Sequence, residues 1–476
     1  MKNSYLLVPF LTLGLILGTN VEASVQGARK IYQAGDKSRY PQLAAELVKD
    51  KLFFSAVPFI KEYLAFTSKV NDTAVDNVLD DIITNVGVKQ FEVLPVNILE
   101  KSNAPTIRYI LARKSFRAGK FDQALRYLDR KIEDWHPVKP FALLLEASSY
   151  AVSKREDKAS SVFKECIDIA EAQIKKEENK DRLRQLKITR DYCVVGIPRA
   201  QFAILKFDSA YSSYLDLPKS SYIWPEILFE EAWNSFYLKD YNRTLGKLVT
   251  YKAPVFNYIF NPEIEVLKAL SYMELCLWED SKKAVEDFYA NYETANIAYK
   301  KFIDSLGKDY RQYYMLVKDR ESGKYSENKI LSSALSSIGR DPAYLELFSS
   351  FNNGKDEIEK VKSLSNDSLK AALNENLKEA LNLQRNLIGS YIRGQLQLYA
   401  AQVVRAFEDM SYIKLEVLSK RKTELYDDVT LTKAGRARGD VSYLRRTDKQ
   451  YFWTFNGEFW ADELGDYVFS LKSECK

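Results

Sequence analysis

Two neighbouring segments of this chain, residues 105–134 and 140–171, share one pattern of small and large side chains. Aligned on their alanines, the two segments lie 35 residues apart: Ala112 with Ala147, and Ala124 with Ala159. Each segment holds two amphipathic stretches separated by a turn, and each stretch has one small residue near its middle. Side chains this small let two helices approach closely, so the pattern predicts paired helices that stack on the next pair.

A period near 34 residues with this spacing is typical of tetratricopeptide-type (TPR) repeats. Two more helix pairs fit residues 221–292, with Ala232 and Ala269 as their small packing positions. Signals for β-strands are scarce along the whole chain. We therefore predict an all-α protein: a TPR-like helical-hairpin solenoid, followed by a long helix or helical hairpin and an aromatic C-terminal tail.

Turn signals and shifts in charge divide the sequence into six segments. In order, they are predicted to be a signal peptide (1–23), divergent N-terminal helical hairpins (24–100), TPR-like repeats (101–305), a helical connector (306–354), a long coiled-coil-like helix or hairpin (355–427), and a basic loop with an aromatic C-terminal tail (428–476).

The first 23 residues have the pattern of a secretory leader. Lys2 supplies the positive start, an apolar run extends from Tyr5 to Gly18, and Ala23 is the small residue before the expected cleavage point at Ser24. A run of 14 residues is short for a membrane span, which needs about 20 apolar residues. We expect cleavage, a mature protein without a transmembrane segment, and a periplasmic or secreted location. An uncleaved anchor is the alternative.

The sequence contains four cysteines, all after the leader: Cys166, Cys193, Cys276 and Cys475. An even number in an oxidising compartment suggests disulfides. Cys166 and Cys193 fall on neighbouring predicted helices, and Cys276 would then pair with Cys475, which ties the chain end to a repeat. Four buried free thiols are the alternative.

The region 355–426 contains no proline and predicts very long helix, restarted at the capping residues Ser365, Asn366 and Asp367. A second helix start is predicted at residues 71–73. An apolar seam with alternating spacings of three and four residues follows within the long helix: Leu396, Tyr399, Val403, Ala406, Met410, Ile413 and Val417. We expect this seam to pack against residues 355–390 in an antiparallel hairpin. A dimer and a partner helix stay open.

The sequence offers little that resembles a catalytic site. Ser–His–Asp catalysis needs a positioned histidine, and His136, the one histidine, lies in an inter-repeat turn. Neither a glycine-rich phosphate loop nor a metal-spaced cluster is present, so no cofactor and no enzymatic activity are predicted. A net charge of +5 over this length is mild and argues against nucleic acid as a partner.

One group of residues in the tail has the composition of a glycan site. Glu458 lies between Trp453 and Trp460, and carboxylates flanked by tryptophan are used at glycan sites. The tail is short for a glycan-cleaving domain. We therefore expect these aromatic residues to dock the tail on the solenoid, with peptidoglycan binding or cleavage as the alternative.

Several sequence blocks resemble periplasmic TPR-like scaffold proteins of the gliding-motility and envelope-machinery type. The carriers are WPE at 224–226, EEAW at 230–233, PEIEVLKALSY at 262–272, and the C-terminal stretch 453–475. The resemblance implies an exported, non-catalytic scaffold in a multiprotein cell-envelope complex, and it implies no reaction.

We therefore predict an exported scaffold for protein–protein interactions that binds a peptide or a helix in the solenoid groove. Two alternatives remain at this point. The first is the peptidoglycan protein that uses the Trp/Glu tail, and the second is a structural protein that self-associates through the heptad seam. Peripheral association with the envelope and homo-oligomer formation are both compatible with the sequence.

Overall fold

A computed structural model describes residues 16–129, 132–324, 328–427, 441, 443–444 and 446–475, without the side chains of residues 16–24 and 421–427. Most of the expected leader and most of the basic loop at 428–450 thus lie outside the described residues. The first described helix begins at Ile16 and continues past the expected cleavage point to Gln33. Within the described ranges, no helix has the length and the hydropathy needed to cross a membrane.

The described part of the chain is all-α apart from two short strands, which confirms the predicted fold class. The helices are α1 Ile16–Gln33, α2 Tyr40–Lys49, α3 Phe53–Phe66, α4 Thr73–Val86, α5 Lys89–Glu92, α6 Val96–Leu99, α7 Pro105–Arg117, α8 Phe121–Leu128, α9 Lys139–Val152, α10 Glu156–Ile174, α11 Lys180–Ala203, α12 Phe207–Tyr214, α13 Trp224–Tyr237, α14 Tyr241–Thr250, α15 Glu263–Glu274, α16 Trp278–Leu306, α17 Tyr310–Glu321, α18 Lys329–Arg340, α19 Pro342–Lys362 and α20 Ser368–Asp427; the strands are β1 Trp453–Thr454 and β2 Tyr467–Val468.

Six of the helix pairs are each joined by a three-residue turn of the same type, in which the middle residue has a positive φ. The middle residues are Lys51, Gly119, Lys154, Leu205, Lys239 and Cys276. In the turn after α9, the N–H of Arg155 donates to the carbonyl of Tyr150 at 2.9 Å, which is the six-to-one bond of a Schellman motif. This turn reverses the chain in the shortest distance, so the second helix of each pair lies against the first.

The small positions are buried within the helix pairs. All six predicted alanines are fully buried. In two pairs the partner residue, twelve positions later, carries a hydroxyl: Ser281 Oγ donates to the carbonyl of Ala269 at 2.9 Å, and Thr244 Oγ1 donates to that of Ala232 at 3.4 Å. A larger side chain at the alanine would separate the two backbones and break this contact.

By its contacts the chain forms two compact units, which divide it differently from the segments predicted above. The first unit comprises residues 1–119, 126–131 and 347–385. Its core joins the N-terminal hairpins to the end of α19 and the beginning of α20 through residues such as Phe54, Leu79 and Leu373. Glu357 of α19 is buried there and accepts hydrogen bonds from the N–H groups of Phe54 and Ser55, at 2.8 and 3.1 Å.

The second unit comprises residues 120–125, 132–346 and 386–476. It contains the hairpins α9/α10, α11/α12, α13/α14 and α15/α16, and the region predicted as a connector adds the hairpin α17/α18. The tail follows, and β1 pairs with β2 in parallel, Trp453 opposite Tyr467.

The heptad seam does not pack against residues 355–390 as expected. Most of those residues, from Ser368 onward, belong to the same unbroken helix as the seam, so they cannot fold back on it. Instead the buried part of the seam contacts α15 and α16. Val403 of the seam is fully buried. The seam residues in the same core cluster as the repeat helices are Ala406, Met410, Ile413 and Val417. On the repeat helices they contact Val266, Ala269, Ala284, Val285 and Phe288. Farther along, the hydroxyl of Tyr299 donates to the carbonyl of Leu396 at 2.7 Å.

Candidate protein-docking groove

A groove lies between α15 and α20, closed on one side by Trp233 of α13. It encloses a cavity of about 660 Å³. The lining residues are Trp233, Glu263, Val266, Leu270, Met273, Asp409, Tyr412, Ile413, Leu415, Glu416 and Ser419. We call this the α15–α20 groove. It is lined mainly by apolar atoms, as ligand and partner sites usually are.

Both long walls of the groove follow helices. On α15 the lining residues Glu263, Val266, Leu270 and Met273 recur at the spacing three, four, three. On α20 the same spacing joins Asp409, Tyr412, Glu416 and Ser419, and Ile413 and Leu415 lie beside that stripe. Ten residues of helix rise about 15 Å, so the two stripes have the same length. Matching stripes on two neighbouring helices are the kind of surface that helix-in-groove recognition uses.

Large apolar side chains stand at the α20 edge of this groove. Tyr412 is 71% exposed, Leu415 is 65% exposed and Leu418 is 47% exposed, one turn apart on the same helix. Their neighbours Ile413 and Val417 are buried against α15 and α16. Helix α20 is therefore apolar on two faces at this point, and only one of them is covered by the repeats.

One end of the groove is acidic. Burial raises the pKa of Glu263, and the negative charge of Asp409 raises it further. Burial also raises the pKa of Asp409. Arg405 acts in the opposite direction on both carboxyl groups, and the indole of Trp233 donates a hydrogen bond to Glu263. The other end, at Met273 and Ser419, carries no charge among its lining residues.

These residues were not predicted as a site from the sequence. The lining residues of α15 belong to the block PEIEVLKALSYM at residues 262–273. This block has more apolar residues than one buried helix face requires. That excess was the available signal. Which second helix would complete the groove was not readable, because α20 begins about a hundred residues later in the chain.

The four cysteines form two bonds. Cys166 of α10 is joined to Cys193 of α11, with the Cα atoms 6.2 Å apart. Cys276, the middle residue of the turn between α15 and α16, is joined to Cys475, with the Cα atoms 5.0 Å apart. The second bond attaches the chain end to the hairpin that forms one wall of the groove.

The C-terminal tail lies along α14, in the middle of the repeat helices. The N–H of Phe469 donates to the carbonyl of Asn242, and the Asn242 side chain makes two bonds with the backbone of Leu471, each near 3.0 Å. Phe469 and Leu471 pack on a cluster that contains Leu245 and Leu275. The tail therefore covers the side of the repeat helices.

The three singled-out tail residues have different surroundings. Trp453 is half-buried and pairs with Tyr467 in the strand ladder. Trp460 is 57% exposed, so it contributes little to docking. Glu458 is exposed, and its N–H donates to Asn456 Oδ1 at 3.0 Å. Phe455 and Phe459 instead form a ring cluster with Tyr467.

No group of three or more acidic, cysteine or histidine residues with the arrangement of a metal site occurs in the described part of the chain. His136 is buried in the turn before α9, where its Nδ1 accepts a hydrogen bond from the N–H of Val138 at 3.2 Å. Its ring is thus part of the turn geometry.

Comparisons with known proteins do not assign this chain to a family. No family model matches the chain, and no curated protein matches it. A solved Rap protein complexed with competence and sporulation factor is 14% identical, covering 73% of this chain and 99% of that one, with a TM-score of 0.31. A circular tandem repeat protein with enhanced subunit contact surfaces is 13% identical, covering 86% and 98%, with a TM-score of 0.15.

Proposed function

We propose that this protein is a scaffold for protein–protein interactions and that it binds a segment of its partner in the α15–α20 groove. The observation that carries the proposal is the second apolar face of α20. Tyr412, Leu415 and Leu418 are largely in contact with water beside a cavity of about 660 Å³. Full burial of a fully exposed side chain of this kind contributes about 1.5–3 kcal/mol, and these three would gain the share of it that corresponds to their exposed fraction.

The arrangement of rigid helices suits this role. The groove walls belong to helices whose opposite faces are held in the core, so little ordering is needed when a partner binds. Trp233 is half-buried on one side of the groove, and Phe229 and Phe236 contact its ring edge-on. A rigid aromatic anchor within a packed surround is the kind of residue that dominates binding energy at protein interfaces.

We further propose that the protein acts outside the cytoplasm, in a cell-envelope complex of the gliding-motility or related type. The leader pattern at residues 1–23 supports export. The two disulfides also support it, because such bonds persist in oxidising compartments. The resemblance of the WPE, EEAW and C-terminal blocks supports the envelope assignment.

Site-specific photo-crosslinking in cells that naturally make the protein tests the groove. A photoreactive phenylalanine analogue replaces Tyr412, and the crosslinked partner is identified by mass spectrometry. The matched control carries the analogue at Val255, which is 59% exposed and does not line the groove. We expect one protein to crosslink at 412 and not at 255. Replacing Leu415 with Asp in the same chain should remove that product.

If the product at 412 is absent, or if it persists at equal yield in the Leu415→Asp chain, the groove is not the docking site. The N-terminus of the mature protein and its cell fraction, measured on the same material, test the envelope assignment independently. An uncleaved chain recovered from the cytoplasm with its leader intact would contradict export while leaving the groove proposal in place.

The peptidoglycan alternative has one structural observation in its favour: Trp460 and Glu458, which are two positions apart in the chain, are both exposed. Purified protein incubated with cell-wall sacculi tests it. Under the scaffold proposal, sedimentation with sacculi is no greater for the wild type than for Trp460→Ala, and no muropeptides are released. Release that disappears in Glu458→Gln would favour the enzyme instead.

A further inference from the structure

The α15–α20 groove has a direction, because its acidic end and its uncharged end lie about 15 Å apart on two matching helical stripes. Glu263 and Asp409 begin the stripes on the two walls, while Met273 and Ser419 end them. An occupant therefore meets two carboxyl groups at one end and mainly apolar side chains along the rest, where Glu416 is a further charged lining residue.

The carboxyl groups at the acidic end are incompletely compensated. Two acids face the same space, and Arg405 is the one cation that lowers the pKa of both. Glu416, farther along the wall, already pairs with Lys420 at 3.6 Å. Like charges held together in a partly buried site are relieved when a cation binds between them.

We infer that the groove's occupant is a partner helix of about ten residues that presents an apolar stripe and places a Lys or Arg between Glu263 and Asp409. A helix fits these walls because its own ridges of side chains, three and four residues apart, can pack into the grooves between the ridges of α15 and α20. The occupant's apolar side chains, at positions i, i+3 and i+7, would interleave with Leu270, Tyr412 and Leu415. This inference rests on the proposed function and adds the chemistry of the occupant.

The cation also sets the orientation of the partner. If it lies near one end of the apolar stripe, only one direction of the helix brings it to the acid pair. The positive end of a helix dipole is its N-terminus, so a basic residue in the first turn would place two favourable charges at the same end. A reversed helix would place its negative C-terminus against two carboxylates.

Selection from a phage-displayed library of 18-residue helical peptides tests the inference without a known partner. Peptides are selected on the full-length protein and counter-selected on Leu415→Asp, so that only groove binders remain. We expect enrichment of Lys or Arg next to an apolar stripe. On the isosteric double variant Glu263→Gln/Asp409→Asn, the selected peptides should bind at least tenfold more weakly.

Leu398→Asp is the matched control, because Leu398 is 49% exposed on the same helix and does not line the groove. It should leave binding unchanged. Groove binders without basic residues, or binding that the double variant leaves intact, would overturn the inference and leave the docking proposal standing. A selection in which no peptide distinguishes wild type from Leu415→Asp would overturn both.

Discussion

Gly246 and Tyr467 are in backbone contact: a Cβ atom on Gly246 would lie 1.6 Å from the carbonyl oxygen of Tyr467. Gly246 is in the middle of α14, where glycine otherwise weakens a helix by about 1 kcal/mol relative to alanine. The tail strand β2 occupies the space that a side chain would take. The tail can therefore lie against α14 only if residue 246 is glycine.

Gly246→Ala is expected to displace the tail from α14 and to lower the melting temperature, although alanine favours the helix itself. Limited proteolysis followed by mass spectrometry should show cleavage between residues 451 and 475 that is absent in wild type. Gly394→Ala is the control, because a Cβ at Gly394 meets no atom within 4 Å and the residue is also within a helix. That variant should gain up to about 1 kcal/mol. Equal behaviour of the two variants would contradict the tail contact.

Ala147→Phe should destabilise the second unit by about 1–3 kcal/mol or more, because the residue is fully buried between α9 and α10. Val152→Phe on the same helix is the control, since Val152 is 54% exposed. Denaturant unfolding followed by circular dichroism compares the two. An unchanged midpoint for Ala147→Phe would mean that the repeat alignment places the small position incorrectly.

Lys154→Gly is expected to stabilise the protein. Lys154 has a φ of 58°, in the left-handed region that costs a residue with a Cβ about 1–2 kcal/mol and glycine nothing. The gain should be partial, because glycine also loses more conformational entropy on folding. Lys154→Ala keeps the Cβ and should be close to neutral in the same thermal unfolding assay. A glycine variant no more stable than the alanine variant would argue against the left-handed turn.

Glu357 should make the first unit more stable as the pH falls from about 7 to about 4.5. Burial raises the pKa of Glu357 to about 7 from an ordinary 4.5, so within that window the folded state binds more protons than the unfolded state. The full effect is about 3 kcal/mol, at about 1.4 kcal/mol per unit of pKa. Glu357→Gln, which mimics the protonated acid, should flatten the change.

The control for this prediction is Glu359→Gln, on the same helix, where the side chain is 77% exposed. It should retain the wild-type pH dependence of the unfolding midpoint. If the unfolding midpoints of Glu357→Gln and wild type change in parallel between pH 4.5 and 8, the buried carboxyl group is not the source of the pH dependence.

The mature protein should begin at Ser24 and show no free thiol when it is alkylated under denaturing conditions, because all four cysteines are bonded. N-terminal sequencing and intact mass measure both on protein from the native envelope. Cys276→Ser/Cys475→Ser should release the chain end to carboxypeptidase, while Cys166→Ser/Cys193→Ser should not. Four alkylated thiols in the envelope-derived wild type would remove the disulfide assignment.

Local sequence was sufficient wherever the cause of a structure lies within one or two helices. The 35-residue spacing of alanines predicts the hairpins because helix approach depends directly on side-chain size. The predicted cap at Asp72 accepts from the N–H of Ala74 at 3.1 Å, and that at Asp367 accepts from the N–H of Lys370 at 2.8 Å. Each of these two helix caps joins residues within four positions of one another, so the local sequence is enough to predict it.

The tertiary structure decided what the apolar stripes contact. Burial of apolar surface is non-directional, so the seam at Ala406 to Val417 would be satisfied equally by a hairpin, a dimer or the repeats. Its contact with α15 and α16 depends on chain connectivity over more than a hundred residues. The position of the tail on α14 and the groove beside Tyr412 follow from that same packing. They exist only once separate stretches of the chain come together, which is why periodicity alone did not locate them.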